Sequence, residues 1–201
     1  MTNNVNLIPN TYGLVVCGGN SSRMGRDKSL LEYYGKPQRY HVYDMLLPFC
    51  EKVFISCNPE QANTMAEAYP YIQDLPQYNN TGPIAALLTA AEQFPKNNFL
   101  FIGCDYPYLT NEDLVHFFSL CKEEKPLSFY NADENMYEPL LAYYPHSSFG
   151  ELKERYKTKQ YSLQHFLQES KADKFYPANK KAMCSIDTEE AFIKAFNSIK
   201  H

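Results

Sequence analysis

The chain has 201 residues, 44% of them hydrophobic, and a formal net charge of −4. That length suits one α/β domain with a sizeable core, expected here to span 1–201 with residues 1–11 loosely held. The acidic balance argues against a general nucleic-acid binder, and no apolar run approaches membrane-spanning length. Six cysteines (17, 50, 57, 104, 121 and 184) form no C-x-x-C pair and no zinc spacing. Cys17, Cys57, Cys104 and Cys184 fall in or beside apolar, strand-like runs. Free buried thiols are therefore expected, which fits a reducing cytoplasm. The N-terminus shows no charged region followed by an apolar stretch, so no secretory signal is expected.

The elements follow in order. Leu14-Val15-Val16-Cys17 is a short apolar run with β-branched residues and reads as a buried strand. Gly18-Gly19 ends it and opens a loop carrying Arg23, Arg26, Asp27 and Lys28. Glycines permit close backbone approach, and N–H groups together with fixed cations attract anions, so the loop suggests phosphate binding. It is not a P-loop, since five residues separate Gly19 from Gly25 and Lys28-Ser29 lies two residues further on. It is not a dinucleotide fingerprint either, because there is no G-x-G.

A helix is predicted from Pro37 to Leu47 and a strand over Lys52–Cys57. A second helix is predicted from the Asn58-Pro59 turn to about Ala68. Residues 69–82 read as a long loop, and long loops in compact domains are often functional. Pro83 opens a helix of strong helix formers, and Asn98–Gly103 reads as a strand with Asp105 just past its end. Thr110 with Asp113 has the pattern of a capping box for a helix to about Glu123. Pro126–Tyr130 and Tyr137–Tyr144 read as strands joined by a turn-rich link. Helical segments follow near 147–156 and 162–170, with His165 read as a packed helical histidine. Met183–Ile186 reads as a last short strand. Thr188 then caps an amphipathic helix bearing Ala191, Phe192, Ala195, Phe196 and Ile199 on one face.

Strands alternating with helices imply a three-layer sandwich with a mostly parallel central sheet, and ligands bind such sheets at the carboxyl ends of the strands. The loop at 18–28, Ser56 to Asn58, and Asp105 converge there by topology. Asp105 ends a buried run. An aspartate there needs a partner or a cation, and Mg²⁺ favours carboxylate and phosphate oxygens; a turn-capping role fits the same position.

The motifs resemble one family. Cys17 to Lys28, CGGNSSRMGRDK, is similar to the L-x-G-G-x-S-x-R-M-G-x-D-K signature of the MobA-like nucleotidyltransferases. Cys104 to Leu109 resembles that family's C-D-x-P-[FY]-[LI] segment, and Gly82-Pro83-Ile84-Ala85-Ala86 its G-P-L-A-G, with Ala86 for the usual Gly. Glu138 to Tyr144 resembles the x-P-L-x-A-x-Y strand on the acceptor side. Tyr161-Ser162-Leu163 resembles R-S-L, with Tyr where Arg is frequent. Ser185-Ile186-Asp187-Thr188-Glu189 stands where the family has N-x-N-T-P.

The resemblance implies a Rossmann-like nucleotidyltransferase fold and Mg²⁺-dependent transfer of GMP from GTP to the terminal phosphate of molybdopterin carrying molybdenum, with release of pyrophosphate. Cofactor-pathway proteins would be partners. It implies Arg23, Lys28 and Asp105 as catalytic residues. It implies Val16, Cys17, Gly18, Gly19, Lys28, Ser56, Asn58, Asp74, Gly82 and Asp105 along the nucleotide, with Asp105 and Asp187 as metal ligands. Plainer roles stay open for several of these: a solvated loop residue for Asp74, a strand-ending turn for Ser56 and Asn58, and a cap neighbour for Asp187. A sister transferase using CTP or another nucleotide, and a catalytically silent nucleotide-binding adaptor, remain alternatives.

Overall fold

The structure is a computed structural model describing residues 8–17 and 27–200. The predicted loop residues Gly18, Gly19, Arg23 and Arg26 lie outside the described residues. The sheet contains β1 (Thr11–Val16), β2 (Lys52–Cys57), β3 (Tyr71–Gln73), β4 (Asn98–Gly103), β5 (Leu127–Asn131), β6 (Met136–Tyr144) and β7 (Asp173–Phe175). Its spatial order is β3-β2-β1-β4-β6-β5-β7. β1 pairs in parallel with both β2 and β4, and β3 and β7 extend the sheet by parallel pairing with β2 and β5. Only β6 runs against its neighbours β4 and β5. The mostly parallel sheet expected from the alternation of elements is therefore present.

Central strands buried on both faces read as continuous apolar runs, and all six residues of β4 are buried. Helices cover both faces. On one, α1 (Gln38–Leu46) and α4 (Asn111–Leu120) bring Val42, Leu46, Leu114 and Phe117 onto Val15, Ile55 and Ile102. On the other, α3 (Pro83–Gln93), α5 (Phe149–Lys157) and α6 (Leu163–Glu169) bring Leu87, Leu88, Leu152 and Phe166 onto Leu14, Phe99 and Phe101. Gly13 lets α1 approach β1, because a Cβ there would lie 3.2 Å from Leu46 Cδ1 and from Cys50 Sγ. The α4 capping box forms as its sequence predicts, with the Asp113 N–H donating to Thr110 Oγ1 at 3.1 Å and the Thr110 N–H to Asp113 Oδ2 at 3.1 Å.

Several boundaries differ from the sequence reading. The helix expected to reach Ala68 is one turn, α2 (Pro59–Ala62). Beyond it, the buried Arg39 guanidinium donates to the Thr64 carbonyl at 2.5 Å and to Thr64 Oγ1 at 3.2 Å, holding that backbone in turns. The 69–82 loop contains β3 and a 3₁₀ turn at Pro76–Tyr78. α4 stops at Leu120, not Glu123.

The strand expected at Met183–Ile186 is absent. Lys180–Met183 forms a 3₁₀ turn, and the chain runs on without a strand partner until α7 (Glu189–Lys200). Cys184 is consequently exposed, whereas Cys17, Cys50, Cys57 and Cys104 are buried free thiols. His165 is exposed on α6 and not packed. The Thr188 cap forms, its Oγ1 accepting from the Ala191 N–H at 3.2 Å. α7 packs Ala195 with Leu31, Tyr33 and Ile186, flanked by Phe192 and Phe196. Among the described residues no helix is long and apolar enough to cross a membrane.

Candidate active site

The carboxyl ends of β3, β2, β1 and β4 lie side by side, because all four strands run the same way. Residues at or just past those ends form one edge: Asp74, then Cys57 and Asn58, then Cys17, then Cys104 and Asp105. At roughly 4.8 Å per strand spacing, three spacings span roughly 14 Å. Hydrogen bonds tie the ends together. The Cys17 N–H donates to the Ser56 carbonyl (3.3 Å), the Cys104 N–H to the Val16 carbonyl (3.0 Å) and the Asp74 N–H to the Cys57 carbonyl (3.2 Å). Val16, Cys17 and Ser56 are buried, so their side chains support the edge from behind.

At the β4 end three charged side chains meet. Lys28 opens a 3₁₀ turn, Lys28–Leu30, whose cap is Asp27. One Asp27 oxygen accepts from the Ser29 N–H at 2.9 Å and the other from Gln61 Nε2 at 3.2 Å, fixing the turn against α2. Lys28 Nζ donates to Asp187 Oδ1 at 2.5 Å, across 159 residues of sequence. Asp187 directly follows the segment where a strand was expected. That segment is instead pinned by the Ile186 N–H donating to the Asp105 carbonyl at 2.9 Å, with Ser185 Oγ 3.3 Å from Asp187 Oδ2.

The Asp105 carboxyl is pushed up to about 6, chiefly by burial and further by the negative charge of Asp187, against the downward pull of its own backbone N–H and of Lys28. Its position depends on Gly103. A Cβ at Gly103 would lie 2.7 Å from Asp105 Oδ1 and 2.9 Å from Tyr106 Cε2, closer than atoms tolerate. Tyr106 is held by its hydroxyl, which donates to Glu138 Oε1 at 2.7 Å. Burial, foremost, raises the Glu138 carboxyl too.

Two carboxylates beside a lysine, with phosphate oxygens still to come, are the donors a hard cation takes. Magnesium keeps several waters and needs only one or two protein carboxylates. Among the described residues no three histidine, cysteine or carboxylate side chains form a ready-made cage. The pair Asp105 and Asp187 therefore fits a cation that arrives with its substrate's phosphates.

At the β3 end, Ser56 Oγ donates to Asp74 Oδ1 at 3.2 Å, and burial raises the Asp74 carboxyl. Asn58 is more committed than a ligand contact requires. Its Oδ1 accepts from the Gln61 N–H at 2.8 Å as the cap of α2, which fixes the side chain and leaves its amide N–H groups available to a ligand. Gly82, exposed with φ +76°, turns the chain into α3 through Pro83. With ψ at −156° this is backbone essentially confined to glycine, and an L side chain there would cost about 1–3 kcal/mol. Sequence reasoning gave no role to Tyr106, Gln61 or Glu138. Tyr106 sits inside a motif that was read for its aspartate, and Glu138 occupies a variable position of the acceptor-side strand.

The family model described as the MobA-like NTP transferase domain matches residues 13–174, over three-quarters of the chain and all of the β1–β4 edge. The chain belongs to this family. It is 36% identical over 135 residues to the molybdenum cofactor biosynthesis bifunctional protein of Synechocystis, covering 66% of this chain and 38% of that one. It is 28% identical over 130 residues to the molybdenum cofactor guanylyltransferase of Haemophilus influenzae, covering 64% of this chain and 67% of the relative. The chain thus spans well under half the length of the cyanobacterial relative. The fold matches the crystal structure of molybdopterin-guanine dinucleotide biosynthesis protein A from Archaeoglobus fulgidus with a TM-score of 0.70 at 23% identity. That match covers 94% of this chain and 98% of the archaeal one.

Proposed function

We propose that this chain is a Mg²⁺-dependent nucleotidyltransferase that moves GMP from GTP to the phosphate of molybdopterin carrying molybdenum, releasing pyrophosphate, as a single domain in the cytoplasm. The observation that carries this reading is the meeting of Lys28, Asp105 and Asp187 at the carboxyl ends of β1 and β4, in a member of the MobA-like family. The guanylyltransferase name of the relatives supports the choice of base and acceptor.

GTP lies along the strand-end edge, with its triphosphate toward Lys28 and Asp105 and its base toward Asp74. A carboxylate at Asp74, steadied by Ser56, accepts hydrogen bonds from the N–H groups of a guanine edge or from ribose hydroxyls. The backbone of Val16 and Cys17 borders the phosphates, the role the family motif also implies for Gly18 and Gly19, and Asn58 and Gly82 flank the nucleoside. Arg23 and Lys28 bear on the charge that grows on the non-bridging oxygens and on departing pyrophosphate. Fixed charges of this kind supply most of the rate in phosphoryl chemistry, where positioning and electrostatics dominate. Asp105 and Asp187 would hold Mg²⁺, which when bound neutralises charge on the phosphates. The acceptor phosphate is itself the nucleophile, so no covalent intermediate on the enzyme is needed.

Thermal unfolding with Mg²⁺ and each of GTP, CTP, ATP and UTP tests the reading. A nucleotide at a hundred times its dissociation constant stabilises by about 2.7 kcal/mol. The expected result is a shift with GTP that disappears with EDTA. A shift with CTP alone would move the assignment to a sister transferase, and no shift with any nucleotide would overturn it.

A further inference from the structure

The lysine assigned to the phosphates is already occupied. Lys28 Nζ lies 2.5 Å from Asp187 Oδ1, and the two residues are held by different parts of the fold. Lys28 is fixed by the Asp27-capped turn and Asp187 by the Ile186–Asp105 hydrogen bond. The Lys28 side chain is only 18% exposed, so the bond is substantially shielded from water, while Asp187, 50% exposed, faces the mouth. Asp105 adds a second negative charge that senses both partners. Among these three side chains the charges sum to −1 when both carboxyls are ionised. A triphosphate approaching alone meets two carboxylates and a lysine whose charge is paired and one of whose three N–H donors is held by Asp187. A triphosphate approaching with a divalent cation meets two carboxylates that suit the cation, and the cation competes with Lys28 for Asp187.

We propose that Asp187 is a latch on Lys28. In the nucleotide-free protein it holds the ammonium group, and on arrival of the metal–nucleotide pair it exchanges lysine for metal, releasing Lys28 to the phosphates. No covalent bond is broken, and the exchange couples metal binding to phosphate binding. Asp187 is on this reading a positioning residue for Lys28 as well as a ligand. The inference rests on the proposed nucleotide site and deepens it.

Calorimetric titration with inorganic pyrophosphate and with GTP, each in EDTA and in Mg²⁺, tests the latch without any turnover. The wild-type protein is expected to bind both ligands weakly in EDTA and much more tightly in Mg²⁺. Asp187→Asn removes the charge that holds Lys28 and leaves at most a neutral acceptor, so metal-free pyrophosphate should bind about tenfold tighter, the scale of one hydrogen bond to a charged group. Its enhancement by Mg²⁺ should fall by at least as much. Asp105→Asn is the control, since it removes the same charge from the same mouth but no bond to Lys28; its metal-free affinity should rise much less. Equal gains in the two variants would mean general electrostatics and would overturn the latch. So would an Asp187→Asn protein that binds metal-free pyrophosphate no better than wild type, because Asp187 would then merely orient the lysine. Asp187 is half-exposed, so the variant should fold, and Lys28→Gln gives the reciprocal reading. With Lys28 removed, Mn²⁺ alone, followed by its electron paramagnetic resonance signal, should bind more tightly; unchanged Mn²⁺ affinity would count against the latch. Failure of the wild-type protein to bind GTP or pyrophosphate under any condition would instead remove the nucleotide site itself, and the latch with it.

Discussion

Replacing Asp105 by Asn should make the nucleotide-free protein more stable while removing its response to metal and nucleotide. The Asp105 carboxyl stands at about 6 in the folded chain against an ordinary 3.8, because burial disfavours its charge. Two units at about 1.36 kcal/mol each give an upper limit near 3 kcal/mol. Asp105 is partly exposed to the mouth, which screens the effect, so about 1–2 kcal/mol is the working figure. The sign follows from proton counting. Between about pH 4 and pH 6 the folded state holds a proton that the unfolded state has released, so stability falls as pH rises through that window. Above it the wild type carries the full cost of a buried charge, and the Asn variant carries none.

Urea unfolding of both proteins at pH 8 and at pH 4 measures this directly. The variant should gain about 1–2 kcal/mol at pH 8, or roughly 2–8 °C in melting temperature for a chain of this size. The gain should shrink toward zero at pH 4, where the wild-type carboxyl is protonated in the fold. In Mg²⁺ and GTP the order should reverse, because only the wild type gains from the ligand. A variant less stable than wild type at pH 8, or a gain equal at both pH values, would refute the placement of Asp105 as a desolvated carboxylate held for a cation.

Other perturbations separate position from charge. Gly103→Ala should move the Asp105 carboxylate and the Tyr106 ring, given the 2.7 Å and 2.9 Å approaches of the added Cβ. Overpacking of this kind costs about 1–3 kcal/mol, and GTP affinity in Mg²⁺, measured by titration, should fall by more than that stability loss explains. Asp173 accepts from Lys122 at 2.7 Å and from Lys125, and these bonds hold its carboxyl below the ordinary range. Its contribution is present above about pH 4 and is lost as pH falls through the lowered value. The lysines are largely exposed, so Asp173→Asn should cost only about 0.5–1 kcal/mol at pH 7, and less in high salt, by chemical denaturation. Asp74→Asn should weaken GTP more than pyrophosphate, because Asp74 lies at the far end of the edge from Lys28; equal losses in titration would remove it from the nucleoside site.

The parallel core and the strand-end edge were legible because β1, β2 and β4 are continuous apolar runs with polar residues just past their ends. β3 and β7 were not. Each has three residues and one buried side chain, Ile72 and Phe175, too few for a period to register. The segment at Met183–Ile186 looked like a strand because it is apolar. It instead runs beside Asp105, held by one backbone hydrogen bond to it and by the burial of Ile186. Lys28, Asp105 and Asp187 were each visible in their motifs. Their meeting was visible only in part, since strand-end topology brings Lys28 near Asp105 while the Lys28–Asp187 bond depends on where the C-terminal segment returns. The Tyr106–Glu138 support left no signal, because it depends on register between β4 and β6.

The most direct test is transfer itself. The protein, Mg²⁺, molybdopterin carrying molybdenum and GTP labelled at the α-phosphate should yield molybdopterin guanine dinucleotide bearing the label, with one pyrophosphate per dinucleotide. The product should be absent with Asp105→Asn or with EDTA. Label entering the acceptor from CTP but not from GTP, or no transfer from any nucleotide while the folded protein still binds GTP, would contradict guanylyl transfer at this site.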